Sequence, residues 1–199
     1  MPIKNSLLIF ISLFSFNACT HPGHVQPSSS AAKLTEASLY NIDSIRFDLS
    51  TASASDSELA NDEYKEAIAE RNVEKSIEAF KTSVTNFPTA VGYAGLGNAL
   101  VVIKNYKEAL QAYRVASLLN YQPMYEIMYN NSAVYSMLPD TGLCADKVTR
   151  LKDSFALHYM EVALQMGYPK PENFLKDPAF NSLKLNNDWQ FKTIYQTAK

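Results

Sequence analysis

With three histidines and two cysteines in 199 residues, the chain offers few groups that could act as a base, a thiolate nucleophile or a soft metal ligand. His158 is the only imidazole outside the N-terminal segment, and on a helix Ser154 would lie one turn before it and Glu161 three residues after it. A hydroxyl, an imidazole and a carboxylate are the parts of a nucleophile-and-base catalyst, but neighbours of this kind recur on solvated helix faces and assign no catalytic role. Cys19, His21 and His24 could supply one thiolate and two imidazoles to a metal. They sit in a Pro-, Gly- and Ser-rich stretch that provides no ordered second shell to hold them. No HExxH, GxSxG, phosphate-loop or Cys-His zinc spacing occurs. The expectation is therefore a protein that is not an enzyme, with no catalytic residue, no metal and no cofactor. Cys144 reads as a small buried apolar residue.

The segments that would have to position any such group change character along the chain. Composition, with 47% hydrophobic, 12% aromatic and 19% charged residues, is that of one ordinary globular domain and excludes a disordered or collagen-like chain. The net charge of −2, without a block of Lys or Arg, argues against nucleic acid as a partner. Residues 1–18 carry one cation, Lys4, then an almost unbroken apolar run over residues 7–16, then Asn17 and Ala18 ahead of Cys19. That run is about half the ~20 residues needed to span a membrane as a helix, so it reads as an export signal and not a permanent span. Ala18 directly before Cys19 resembles the lipobox of bacterial lipoproteins, with Phe16 and Asn17 in place of the usual Leu and small residue.

The lipobox resemblance implies cleavage before Cys19, diacylglycerol on its sulfur and a further palmitate-type chain on its amine. One acyl chain holds a protein only marginally, at ~0.8 kcal/mol per buried CH₂, whereas two or three hold it stably. Read from the residues alone, a cleaved soluble secreted protein with an incidental Cys19 stays open. If Cys19 is acylated, Cys144 has no intramolecular disulfide partner. Residues 19–33 then form the lipidated cysteine and a flexible tether. Thr20 is not the Asp linked to inner-membrane retention, and no early acidic cluster follows, which points to an outer-membrane lipoprotein facing the periplasm.

Residues 34–56 give mixed signals, since Ile45, Phe47 and Leu49 alternate as in a strand while Leu39 and Ile42 are spaced as in a helix. They are expected to form an irregular arm that includes a short helix. From about Ser57 the pattern is helical. Val73, Ile77, Phe80, Val84 and Phe87 make one stripe, opened by Asn72 and closed by Pro88. Residues 90–103 predict a helix, Asn105 a break, and Tyr106, Ala109, Leu110, Tyr113, Ala116 and Leu119 the inward stripe of the next. Residues 124–138 predict a third first helix. Ala156, Met160, Ala163 and Leu164 predict its partner after an insertion over residues 139–154 that turns at Pro139 and Gly142. Helices this short are marginal alone and must pair and stack.

The central unit resembles the tetratricopeptide repeat on Tyr93, Leu96, Gly97, Ala109, Tyr113, Ala116 and Pro123, with Leu100 replacing a usual Tyr. Gly97 and the two alanines would let helices approach closely while aromatic rings fill the gaps. Gly167-Tyr168-Pro169, Phe174, Asp177-Pro178, Phe180, Trp189 and Phe191 resemble the closing module of such arrays, with Asp177 as an N-cap. The resemblance implies an all-α fold, a short right-handed superhelix of about three hairpins (residues 57–89, 90–123 and 124–169, the last with the insertion), capped by helices over residues 170–199. It also implies a groove lined by Asn98, Val101, Val102, Tyr125, Tyr129 and Asn130. Neither groove helix contains Lys or Arg, so an acidic terminus is not the expected guest, and Tyr with Asn fits an uncharged peptide. The expected function is a membrane-anchored scaffold of the bacterial envelope that binds a protein or peptide. The alternative is an accessory lipoprotein of an outer-membrane uptake or polysaccharide-binding system, in which exposed tyrosines stack on sugars.

Overall fold

A computed structural model of the chain describes residues 34–139 and 145–197. The signal segment, Cys19, the tether, Cys144 and most of the expected turn in the insertion lie outside the described residues. The described chain is all-α, with ten α-helices and one 3₁₀ turn and no strand among the described residues. In chain order these are α1 (Ile42–Thr51), α2 (Ala54–Ala69), α3 (Val73–Asn86), α4 (Ala90–Val102), α5 (Tyr106–Leu118), α6 (Met124–Met137) and α7 (Ala145–Gln165). The C-terminal module follows as α8 (Asn173–Lys176), the 3₁₀ turn (Pro178–Phe180), α9 (Asn181–Asn186) and α10 (Asp188–Thr197). Three pairs dominate the packing, α2 with α3, α4 with α5 and α6 with α7, and successive pairs join through α3 against α4 and α5 against α6.

Local chemistry sets the helix ends. Asn72 accepts from the Lys75 amide to start α3, and Thr89 accepts from the Gly92 amide to start α4. Ser53 opens α2 with a reciprocal cap, its hydroxyl taking the Asp56 amide while the Asp56 carboxylate takes its own backbone N–H. This cap starts α2 three residues before the Ser57 expected from apolar spacing, because capping satisfies orphan amides without any hydrophobic signal. At the end of α7, Gly167 adopts φ +80. That left-handed turn lets the Tyr168 amide reach back to the Ala163 carbonyl, closing the helix.

Between paired helices, small residues decide the spacing. Tyr93, Leu96, Gly97, Ala109, Tyr113 and Ala116 are all buried. A Cβ on Gly97 would lie 2.5 Å from the Tyr113 ring, so glycine is what allows α4 to rest on that ring. Pro123 takes the N-cap position of α6. In the first pair, Ser83 and Ser76 donate from α3 to the α2 carbonyls of Ala60 and Ala67, each at 2.7 Å. Seven residues separate each set and they pair in reverse order, as an antiparallel hairpin requires. Ser132 repeats the device, donating from α6 to the Ala156 carbonyl of α7 at 2.7 Å. A hydroxyl that satisfies itself on a neighbouring carbonyl permits burial of a polar atom and also fixes helix register.

Residues 34–56 contain a short helix, as expected, and the segment is packed into the core as well. Leu34, Leu39 and Ile45 are buried in the first core, and α1 is stopped and started by ordinary caps. The Tyr93 hydroxyl donates to the Leu39 carbonyl at 2.6 Å, and Tyr40 donates to Glu108 at 2.9 Å. Glu108 also accepts from Asn105 and pairs with Lys81 at 3.1 Å. The strand-like alternation is misleading because Phe47 points to solvent while Ile45 alone of that trio is fully buried. Long-range contacts with Tyr93 and Glu108 hold this segment, and local periodicity does not report them.

Candidate functional site

A cleft of about 440 Å³ lies between α4 and α6, with Tyr113 of α5 beneath it and Asp177-Pro178-Ala179 at one side. It gathers Asn98, Val101, Tyr129 and Asn130, four of the six residues expected in the groove. Asn98 Oδ1 accepts from the Tyr113 hydroxyl at 2.7 Å and from Asn130 Nδ2 at 3.1 Å. Burial raises the Tyr113 phenol above its usual range, so it remains a donor at physiological pH. Those two bonds fix both amides and leave the Asn98 N–H₂ and the Asn130 carbonyl oxygen without partners among the described residues. A donor beside an acceptor is the complement of one peptide group.

Val102 faces a neighbouring cleft of about 350 Å³, formed with Tyr64, Ile68, Val73 and Phe80, and Asn98 borders both clefts. Val102 and Ile68 are 65% and 60% exposed, so this second cleft presents apolar surface to solvent. The two clefts together provide a polar reading point flanked by hydrophobic ground.

Tyr125 lines neither cleft, contrary to the expected groove position. Its ring meets the Tyr168 ring edge-on, with centroids 5.8 Å apart. The physical reason is helical spacing: Tyr125 and Tyr129 lie four residues apart on one face of α6, and the turn at Gly167 swings Tyr168 onto that face. Tyr129 itself serves as both wall and core. It stacks on Tyr168 at 4.7 Å and meets Phe174 and Phe180 edge-on at 5.0 and 5.6 Å. Its hydroxyl donates to Asp177 Oδ2 at 2.7 Å, while Asp177 Oδ1 takes the Ala179 amide. Burial first, then the Asp177 carboxylate, push the Tyr129 phenol far above its ordinary value.

Asp177 was legible as an N-cap, and it is one, but its second task at the cleft wall was not. The 48 residues separating it from Tyr129 leave no local pattern to find. The other chemical candidates stay dispersed. His158 is exposed on α7 with its ring against Tyr159, 5.6 Å between centroids, and Glu161 accepts from Gln165. Cys19, His21 and His24 lie outside the described residues. No helix of the described residues is long and apolar enough to cross a membrane. Comparison with family models, with curated proteins and with solved structures finds no match.

Proposed function

We propose that this chain is a membrane-anchored, non-catalytic interaction scaffold of a bacterial envelope, an outer-membrane lipoprotein facing the periplasm and held by acylated Cys19. Its paired helices act as tetratricopeptide-type repeats wound into a short right-handed superhelix. The guest is an uncharged segment of another protein, held by one peptide group on Asn98 and Asn130 and by apolar side chains against Val101 and Val102. The observation that carries this reading is the hydrogen-bonded Asn98–Asn130 pair at the junction of two clefts, with one donor and one acceptor left over. Rigid, pre-oriented amides lower the ordering cost of binding, and adjacent apolar ground supplies affinity.

Two measurements test it. Mass spectrometry of the mature N-terminus is expected to find an acylated Cys19, and Cys19→Ser is expected to release the chain from membranes; an unmodified soluble chain would refute the anchor. Co-purification from detergent-solubilised membranes is expected to recover a specific envelope protein that the Asn98→Ala, Asn130→Ala double variant loses. Recovery of the same proteins by both forms would refute the cleft as the binding face.

A further inference from the structure

We propose that the groove on α4 continues past Val102 along α2, and that this α2 side selects a guest carrying a lysine or arginine next to the segment held at Asn98 and Asn130. The inference rests on the function proposed above and adds the charge of the partner.

A third cleft, of about 330 Å³, lies between the first half of α2 and the start of α4, with Ala60, Tyr64, Val91 and Glu58 among its lining residues. Tyr64 lines both this cleft and the Val102 cleft, and Asn98 lines both the Val102 cleft and the one beside α6. The three are therefore one row across α2, α4 and α6. Val91 is 45% exposed, so apolar ground reaches the far end of the row. A row of joined clefts suits an extended chain, whose successive side chains enter successive clefts.

The row carries charge of one sign. Glu58 lines the third cleft, Glu70 the Val102 cleft and Asp177 the cleft beside α6, and no Lys or Arg is among the residues lining any of the three. α4 contains no charged residue, and α6 contains only Glu126. α2 carries Asp56, Glu58, Asp62, Glu63 and Glu66 against one cation, Lys65, whose ammonium pairs with Asp62 at 3.0 Å. Asp177 is engaged by the Tyr129 hydroxyl and the Ala179 amide, so the carboxylates that face a guest are those on the α2 side. Glu70 Oε1 accepts the Asn72 amide at 2.7 Å, which pins that carboxylate beside the Val102 cleft. Apolar walls strengthen the field of these groups, and an acidic guest is repelled by it. A lysine or arginine lays its methylene stem on Tyr64 and Val91 and carries its charge to Glu58 or Glu70.

Three pools of end-capped random peptides of equal length, differing only in one fixed residue, Lys, Ser or Glu, test this on the immobilised full chain. The Lys pool is expected to be retained about three- to tenfold more than the Ser pool, and the Glu pool least, with the differences shrinking as salt is raised. The Glu58→Gln, Glu70→Gln double variant is expected to lose the preference for Lys with an unchanged melting temperature, since both side chains are exposed and glutamine still accepts the Asn72 amide. Glu78→Gln, on the exposed part of α3, is expected to keep the preference. Equal retention of the Lys and Ser pools by the parent, or a Lys preference that survives in the double variant, would overturn the proposal and leave the groove reading standing. Retention of no pool, or retention unaltered by Asn98→Ala with Asn130→Ala, would overturn the groove reading and this proposal with it.

Discussion

The α4–α5 pair and the module beyond α7 both exclude water, yet they do so with opposite materials. Between α4 and α5, Gly97 rests on the ring of Tyr113, and the small residues Ala109, Ala112 and Ala116 of α5 are buried in the same core. Beyond α7, four aromatic rings, Tyr129, Tyr168, Phe174 and Phe180, touch one another, and the elements carrying three of them are a turn, a four-residue helix and a 3₁₀ turn. Small side chains let long helices approach and rely on regular backbone, whereas large rings compensate for backbone too short to be stable alone. The candidate groove lies where these two constructions meet, since Asn98, Val101 and Tyr113 of the first line it together with Tyr129 and Asp177 of the second.

Damage to each construction should therefore differ in kind. Phe180→Ala is expected to have the largest effect, about 3–5 kcal/mol of stability lost in urea denaturation, because a fully buried ring is removed from a cluster that cannot collapse. Tyr129→Phe keeps the ring but strips the hydrogen bond to Asp177, and about 1.5 kcal/mol is expected. On the small-residue side, Gly97→Ala drives a methyl into Tyr113. Overpacking of about 1–3 kcal/mol, less up to ~1 returned by helix propensity, leaves a modest net loss in the same assay. Ser83→Ala should cost about 1 kcal/mol, since only the cross-helix bond to the Ala60 carbonyl is lost.

Alkali should affect both constructions together. Burial raises Tyr93, Tyr113 and Tyr129, and Tyr121 is pushed up to about 12 by burial and by the Glu126 carboxylate it donates to. Each phenol is held neutral in the folded chain while its unfolded counterpart ionises near 10. Their contribution is complete below about pH 10 and is lost as pH rises through the folded values, so the melting temperature should fall steadily from about pH 10 upward. A melting temperature flat between about pH 9 and 12 would show that these rings are not packed as described.

The two constructions were unequally visible in the sequence. Stripes at helical spacing, such as Ile77, Phe80 and Val84, and caps such as Asn72 announced α3 to α6 with bounds within a residue or two. Their signals are local. Of the residues expected in a groove, Asn98, Val101, Tyr129 and Asn130 border one cleft and Val102 its neighbour, while Tyr125 packs on Tyr168, which arrives from 43 residues downstream. The arm at residues 34–51 was hidden for the same reason, because Leu39 and Tyr40 are held by Tyr93 and Glu108.

In the function proposed above, the junction of the two clefts on α4 receives a segment of another protein. A photo-activated crosslinking residue placed at Val102 in membrane-bound chain, with Glu78 on α3 as the control position, tests it most directly. One discrete crosslinked envelope protein is expected from position 102, lost when Asn98 and Asn130 are both replaced by Ala, and none from position 78. Identical crosslinks from both positions, or none from position 102, would contradict it.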